Sequence, residues 1–213
     1  MLTSGDAQIP QDRDGLEAFV QVEPRNFQAW LRLGRVRRWQ GDETGAAEAF
    51  RRASELSARP GSGRVEAPDP VFVRASALDE LGLSTEATPL FVAAAAIYER
   101  RLADPEYARL AWAWHRLGWC RKRSGDEAGA HGAWTRAVLE AESTLVPGDP
   151  TSLYNLACYR ALASRLEPAL ESLRQAVDAG FGSLELLEHD EDLESLRREP
   201  RWSELLSRVR GGR

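Results

Sequence analysis

The sequence predicts an all-α chain, a solenoid of stacked antiparallel helix pairs closed by a C-terminal capping segment. Three observations predict it. First, seven positions recur in register: Trp30, Leu33, Gly34, Gly41, Ala46, Phe50 and Ala53; then Trp114, Leu117, Gly118, Gly125, Ala130, Trp134 and Ala137; then Leu153, Leu156, Ala157, Ser164, Ala169, Leu173 and Ala176. Second, large apolar residues in each copy fall three and four apart, once before and once after a short turn, which marks two helical faces. Third, each first helix carries a small residue (Gly34, Gly118, Ala157) and each second helix carries two alanines, so two backbones can approach closely.

The elements follow in chain order. The first hairpin spans 27–58 and turns at Gly41-Asp42, a glycine able to take positive φ followed by an N-capping aspartate. Residues 58–70, with Pro60, Gly61, Gly63, Pro68 and Pro70, read as a loop. Helical spacing returns over 71–83 (Ala75, Leu78, Leu81) and 85–103 (Leu90, Ala94, Ile97, Leu102), a degenerate hairpin over 71–103 in which Pro89 is tolerable only in a first turn. The second clear hairpin spans 111–142 and turns at Gly125-Asp126. The third spans 150–181 and turns at Ser164-Arg165, a weaker version of the same device. Residues 184–209 supply Leu186, Leu187, Leu193, Leu196, Trp202, Leu205 and Leu206 to cover the last hairpin, with Pro200 opening a final helix and the acidic run 188–194 on solvent.

The repeated residues resemble the tetratricopeptide repeat (TPR) family. The closest matches are Ala-Trp-Leu-Arg-Leu-Gly at 29–34 and Ala-Trp-His-Arg-Leu-Gly at 113–118. Tyr154-Asn155-Leu156-Ala157-Cys158, Gly180-Phe181, His189 to Leu193 and Pro200-Arg201-Trp202 resemble the segment that ends the array in many bacterial members. Two departures stand out. Arg37, Arg121 and Arg160 replace the family's aromatic near the end of the first helix, and its closing proline is displaced to Pro60 and Pro147.

Composition agrees with one domain over 1–213, long enough for a continuous core. The net charge of −5 argues against nucleic acid and anionic membranes as partners. Residues 1–10 lack a signal peptide's basic start and apolar stretch, and no apolar run reaches bilayer length, so a cytoplasmic bacterial protein is expected. Cys120 and Cys158 read as buried or groove thiols, not a disulfide framework. All basic residues but Lys122 are arginine, which fits a GC-rich genome and also suits bidentate carboxylate recognition.

A search for chemistry returns no motif. His115, His131 and His189 show no metal-binding pairing, and Gly61-Ser62-Gly63 lacks the Lys-Ser/Thr of a phosphate loop. No enzyme activity, cofactor or metal is expected.

The resemblance implies that first helices line a concave groove. The groove candidates are then Leu31, Arg35, Arg38 and Trp39; His115, Trp119 and Lys122; and Tyr154 and Cys158. Arginine forks and flat aromatic rings suit an acidic peptide or a C-terminal carboxylate of a partner protein. The carboxylate clamp of chaperone-binding adaptors is not expected, because Arg35, Trp119 and Cys158 stand where such adaptors carry asparagine. The expected function is a non-catalytic protein–protein interaction module. The alternatives are a regulatory subunit of an enzyme such as a kinase, and a nucleic-acid binder using Arg25–Arg38 with Trp30 and Trp39.

Overall fold

A computed structural model describes residues 9–59 and 68–211. The predicted 58–70 loop therefore lies largely outside the described residues, as do the first eight residues. Among those described, every regular element is helical. In order they are α1 Arg13–Val22, α2 Phe27–Trp39, α3 Glu43–Ser57, α4 Pro68–Glu80, α5 Ser84–Leu102, the single turn α6 Pro105–Ala108, α7 Ala111–Arg123, α8 Glu127–Thr144, α9 Pro150–Leu162, α10 Leu166–Asp178, α11 Leu184–His189 and α12 Trp202–Gly211. Two 3₁₀ turns, Glu191–Leu193 and Leu196–Arg198, separate α11 from α12.

The chain divides into two compact units. One takes in residues up to Ala103 with Trp119–Asp126; the other takes in Asp104–Gly118 with Glu127 onward. In the first, α1 packs on α2, α2 on α3, α3 on α4 and α4 on α5. Leu16 and Val20 of α1 bury against Ala29, Leu33 and Val36 of α2, while Leu31 joins Ala46, Phe50, Ala53, Val73 and Ala77. In the second, α8 packs on α9, α9 on α10 and on the first 3₁₀ turn, and α10 on α12.

One turn closes every hairpin. A residue in the left-handed region ends the first helix, and the next residue donates its backbone N–H to a carbonyl five positions back: Asp42 to Arg37 at 2.9 Å, Leu83 to Leu78 at 2.9 Å, Asp126 to Arg121 at 2.9 Å and Arg165 to Arg160 at 2.8 Å. The left-handed residues are Gly41 (φ 81°), Gly82 (φ 76°), Gly125 (φ 90°) and, without glycine, Ser164 (φ 58°). The degenerate 71–103 stretch thus turns as the clear repeats do.

Small residues on the first helices face large ones on the second. A Cβ on Gly34 would collide with the Phe50 ring, and one on Gly118 with the Trp134 ring. The third hairpin places Ala157 and Leu173 at these positions, both fully buried. The rings of Phe50 and Trp134 fill the space above Gly34 and Gly118, while the alanines of the second helices, Ala46, Ala53, Ala130 and Ala137, are fully buried.

One helix was not anticipated, and two expectations need correction. Helix α1 lies ahead of the first predicted hairpin; Asp12 caps it by accepting the Gly15 N–H at 2.9 Å, and Leu16 and Val20 give it a buried stripe. Helix α4 begins at Pro68, because prolines in a first turn lack only N–H groups that would have no helical partner there. Pro89 lies beyond the first turn of α5, on an exposed position, where it removes one exposed helical hydrogen bond.

Candidate functional site

The three arginines that replace the family's aromatic share one task. Arg37 reaches Glu17 of α1 at 3.1 Å and the Gly45 carbonyl at 3.2 Å. Arg160 reaches Glu142 of α8 at 2.8 Å and the Pro168 carbonyl at 3.2 Å. Arg121 reaches Glu99 of α5 at 2.9 Å. Each guanidinium ties its helix to an earlier helix, and those of Arg37 and Arg160 also tie it to the helix after it. The tryptophans opening the first two repeats are equally alike: Trp30 donates its indole N–H to the Pro24 carbonyl at 3.0 Å, and Trp114 to Ala108 at 2.7 Å.

The groove candidates separate into two groups. In the first unit, Arg35 and Arg38 meet Glu80 at the end of α4, at 2.8 and 2.5 Å, and Arg38 also donates to the Glu80 carbonyl at 2.8 Å. Arg123 meets the neighbouring Asp79 at 3.2 Å. Lys122 and Arg123 stand over the Trp119 ring, 4.7 and 5.1 Å from its centre. Arg38 also meets Glu43 at 3.5 Å, so four cations, three carboxylates and one indole gather around the last turn of α4. The side chains of Arg35, Arg38 and Arg123 keep 41, 32 and 34% of their exposure, so the cations are solvated, whereas Trp119 beneath them is 8% exposed and belongs to the core, not to an open groove. Arg123, Asp79 and Glu80 were not among the predicted residues, and the Arg-Lys-Arg run ending α7 was the available signal.

Leu31 and Trp39 fall outside this surface. Leu31 is 7% exposed and belongs to the core between α2, α3 and α4; Trp39 packs on the cluster that α1 makes with α2. Their helix turns these apolar side chains toward its neighbours, which corrects their assignment to an open groove.

The second group lies under the chain's own C-terminal segment. The first 3₁₀ turn packs on α9. The Tyr154 hydroxyl donates to Asp190 at 2.6 Å, and its ring stacks on Phe181 with centroids 4.2 Å apart. His115 Nε2 pairs with Asp192 at 2.8 Å, and its ring meets Tyr159 at 5.1 Å between centroids. Cys158 is 2% exposed. Tyr154, Cys158 and His115 therefore face carboxylates supplied in cis. The 188–194 run is correspondingly not all on solvent: Asp190 and Asp192 turn inward, and the Asp192 side chain keeps 12% of its exposure.

Burial and the nearby Asp192 charge raise Asp190 to about 6. Burial, then the charges of Asp190 and Asp192, push the Cys158 thiol well up, and burial does the same to the Tyr154 hydroxyl. Cys158, Asp190 and Asp192 each bring a potential ligand atom within 4.8 Å of the others. Both carboxylates are already engaged, by Tyr154 and by His115, and the thiol is held in its protonated form, a weak ligand and a weak nucleophile. The arrangement is a hydrogen-bonded network with no activated nucleophile.

Cys120 and Cys158 are both free and buried. Among the described residues no helix is long and apolar enough to cross a membrane.

No protein-family model matches the chain. It is similar to Protein NPGR1 of Arabidopsis thaliana, 39% identical over 56 residues, which is 26% of this chain and 8% of that protein. The chain thus spans a small part of that relative's length. Among solved structures it is similar to kinesin light chain TPR-like repeats of Podosopora anserina, 20% identical with a TM-score of 0.43, over 89% of this chain and 95% of that one. It is also similar to PilW, a type IV pilus biogenesis factor, 19% identical with a TM-score of 0.37, over 93 and 83% of the two chains. A third is YrrB, a TPR protein with an unusual peptide-binding site, 18% identical with a TM-score of 0.30, over 82 and 79%. The fold follows from the hairpins themselves: with seven positions in register, one turn repeated at every hairpin and a small residue under a large one in each clear copy, the chain is built of repeated antiparallel helix hairpins.

Proposed function

We propose that the chain is a non-catalytic protein–protein interaction module whose partner surface is the cationic patch at the end of α4. The observation that carries this reading is the clustering there: Arg35, Arg38, Lys122 and Arg123 stand together around Glu80, Asp79 and Glu43, with Lys122 over the Trp119 ring. The internal pairs hold the guanidiniums in fixed orientation, which lowers the entropy lost when a further carboxylate docks. A segment bearing several Asp or Glu residues fits this surface best. The buried, protonated Cys158 and the absence of an activated nucleophile among the described residues favour binding over catalysis.

The test is capture of partners from the source lysate by wild type and by a Arg35→Gln, Lys122→Gln variant, each checked for native circular dichroism. These neutral changes remove two positive charges without setting a like charge against Glu80. A partner held by wild type and lost by the variant supports the patch. A partner held equally by both moves binding elsewhere. Retention of single-stranded oligonucleotide at low salt, abolished by the same variant, would replace the protein partner by a nucleic acid.

A further inference from the structure

We propose that residues 184–198 form a proton-sensitive latch on α9, tightened when the Asp190 carboxyl, enclosed between Tyr154 and Asp192, takes up a proton. The inference concerns the second unit only and stands whether or not the α4 patch binds a partner.

Two kinds of contact hold the segment. Leu187, Leu193 and Leu196 are fully buried and fix its register by apolar packing, which does not respond to pH. Arg197 adds hydrogen bonds to the Leu187 and Asp190 carbonyls, and it stays charged throughout. The remaining contacts titrate. Asp190 accepts from the Tyr154 hydroxyl on α9 at 2.6 Å and from the Asp192 backbone N–H at 3.0 Å. It faces the Cys158 thiol on α9 and the Asp192 carboxylate of its own turn, which in turn meets His115 of α7 at 2.8 Å. Two carboxylates enclosed side by side repel each other when both are ionised, and burial penalises each charge.

The sign follows. Once the segment lifts, Asp190 regains water and an ordinary aspartate pKa near 4. Docked, it sits at about 6. The docked form therefore binds the proton more tightly, and docking strengthens as pH falls through 6 toward 4 and weakens as pH rises. Glu17, held by the Arg13 hydrogen bond, and Asp149, held by Ser152, lie below the usual carboxylate range, and Arg174 brings Glu171 down to about 2. The latch governs access to Tyr154 and Cys158, which it covers.

Hydrogen–deuterium exchange on the full chain tests this, read on peptides covering 184–198 and corrected for the intrinsic pH dependence of exchange. Wild type is expected to show about tenfold greater protection at pH 5.0 than at pH 7.5, the ratio set by the two pKa values. Asp190→Asn, which mimics the protonated acid in shape, should show no such change, while peptides from α3 report whether the rest of the chain responds. Equal or lower protection of wild type at pH 5.0 overturns the proposal. So does a tenfold change that persists in Asp190→Asn, because the proton would then be bound elsewhere.

Discussion

Asp190 and Tyr154 lie 36 residues apart in sequence and 2.6 Å apart in space. Their hydrogen bond joins the last part of the chain to the first helix of the last repeat, and it is made to a carboxylate that burial and Asp192 hold near 6. The bond is worth most when Asp190 is charged. Tyr154→Phe should therefore cost about 1–3 kcal/mol at pH 7.5, the range for a charged acceptor left unsatisfied, and less at pH 5. Urea unfolding of wild type and variant at both pH values checks it. An equal loss at the two pH values would mean that the hydroxyl contributes through ring packing on Phe181 and not through the carboxylate.

Gly34 and Phe50 make a steric pair that the third repeat solves differently. A Cβ on Gly34 meets the Phe50 ring, whereas Ala157 coexists with Leu173 at the equivalent positions. Gly34→Ala should thus overpack the first hairpin and cost about 1–3 kcal/mol. Combined with Phe50→Leu, it should cost less than the sum of the two single changes, because the smaller side chain vacates the space the methyl needs. A denaturant-based double-mutant cycle gives the coupling. Additive losses would show that the glycine serves backbone freedom and not the ring above it.

The hairpins were legible because their signal is local and repeated. Gly41-Asp42 and Gly125-Asp126 name their turns, and Gly34 with the alanines of the following helix points to close packing. The α4–α5 hairpin was harder, since Leu83 stands where an N-capping aspartate would announce the helix, and only Gly82 remains of the turn. Helix α1 escaped notice because it has no partner copy in the repeat, although Asp12, Leu16 and Val20 carry an ordinary cap and stripe. Of the groove candidates, Arg35, Arg38 and Lys122 lie at a half-exposed surface, while Trp119 is buried beneath Lys122 and Arg123. His115, Tyr154 and Cys158 were misjudged for a long-range reason. Helical spacing places a side chain on a face, but it does not reveal that residues 190–192 return to cover it.

Ser164 offers a third test. It takes φ 58° where the other hairpin turns use glycine, the one non-glycine residue with positive φ among those described. A side chain there crowds the following carbonyl, at a cost of about 1–2 kcal/mol relative to glycine. Ser164→Gly should raise stability by about 1 kcal/mol, the remainder being offset by the freedom glycine gains in the unfolded chain. The thermal midpoint is then expected to rise by about 2–4 °C for a chain of this length. No rise, or a fall, would mean that the serine hydroxyl stabilises this turn by more than its backbone costs.

Arg160 supplies the last. Its guanidinium holds Glu142, the Pro168 carbonyl and Ser172 together with 21% of the side chain exposed, and Arg37 holds Glu17 and the Gly45 carbonyl in the same way. Because the fork reaches two elements at once, lysine is a poor substitute: a single ammonium cannot span a carboxylate on one side and a carbonyl on the other in fixed geometry. Arg160→Lys should cost about 1 kcal/mol, the value of one hydrogen bond lost, after discounting the partly exposed ion pair for solvent screening. Arg160→Met should cost more, since Ser172 and the Pro168 carbonyl then lose the arginine donor and keep only the bond from the Ser172 hydroxyl to that carbonyl. Raising salt separates the contributions. If the loss in Arg160→Met shrinks to nothing at 1 M salt, the arginine acts through its charge on Glu142; if most of it persists, the bonds to Pro168 and Ser172 are what hold α9 to α10.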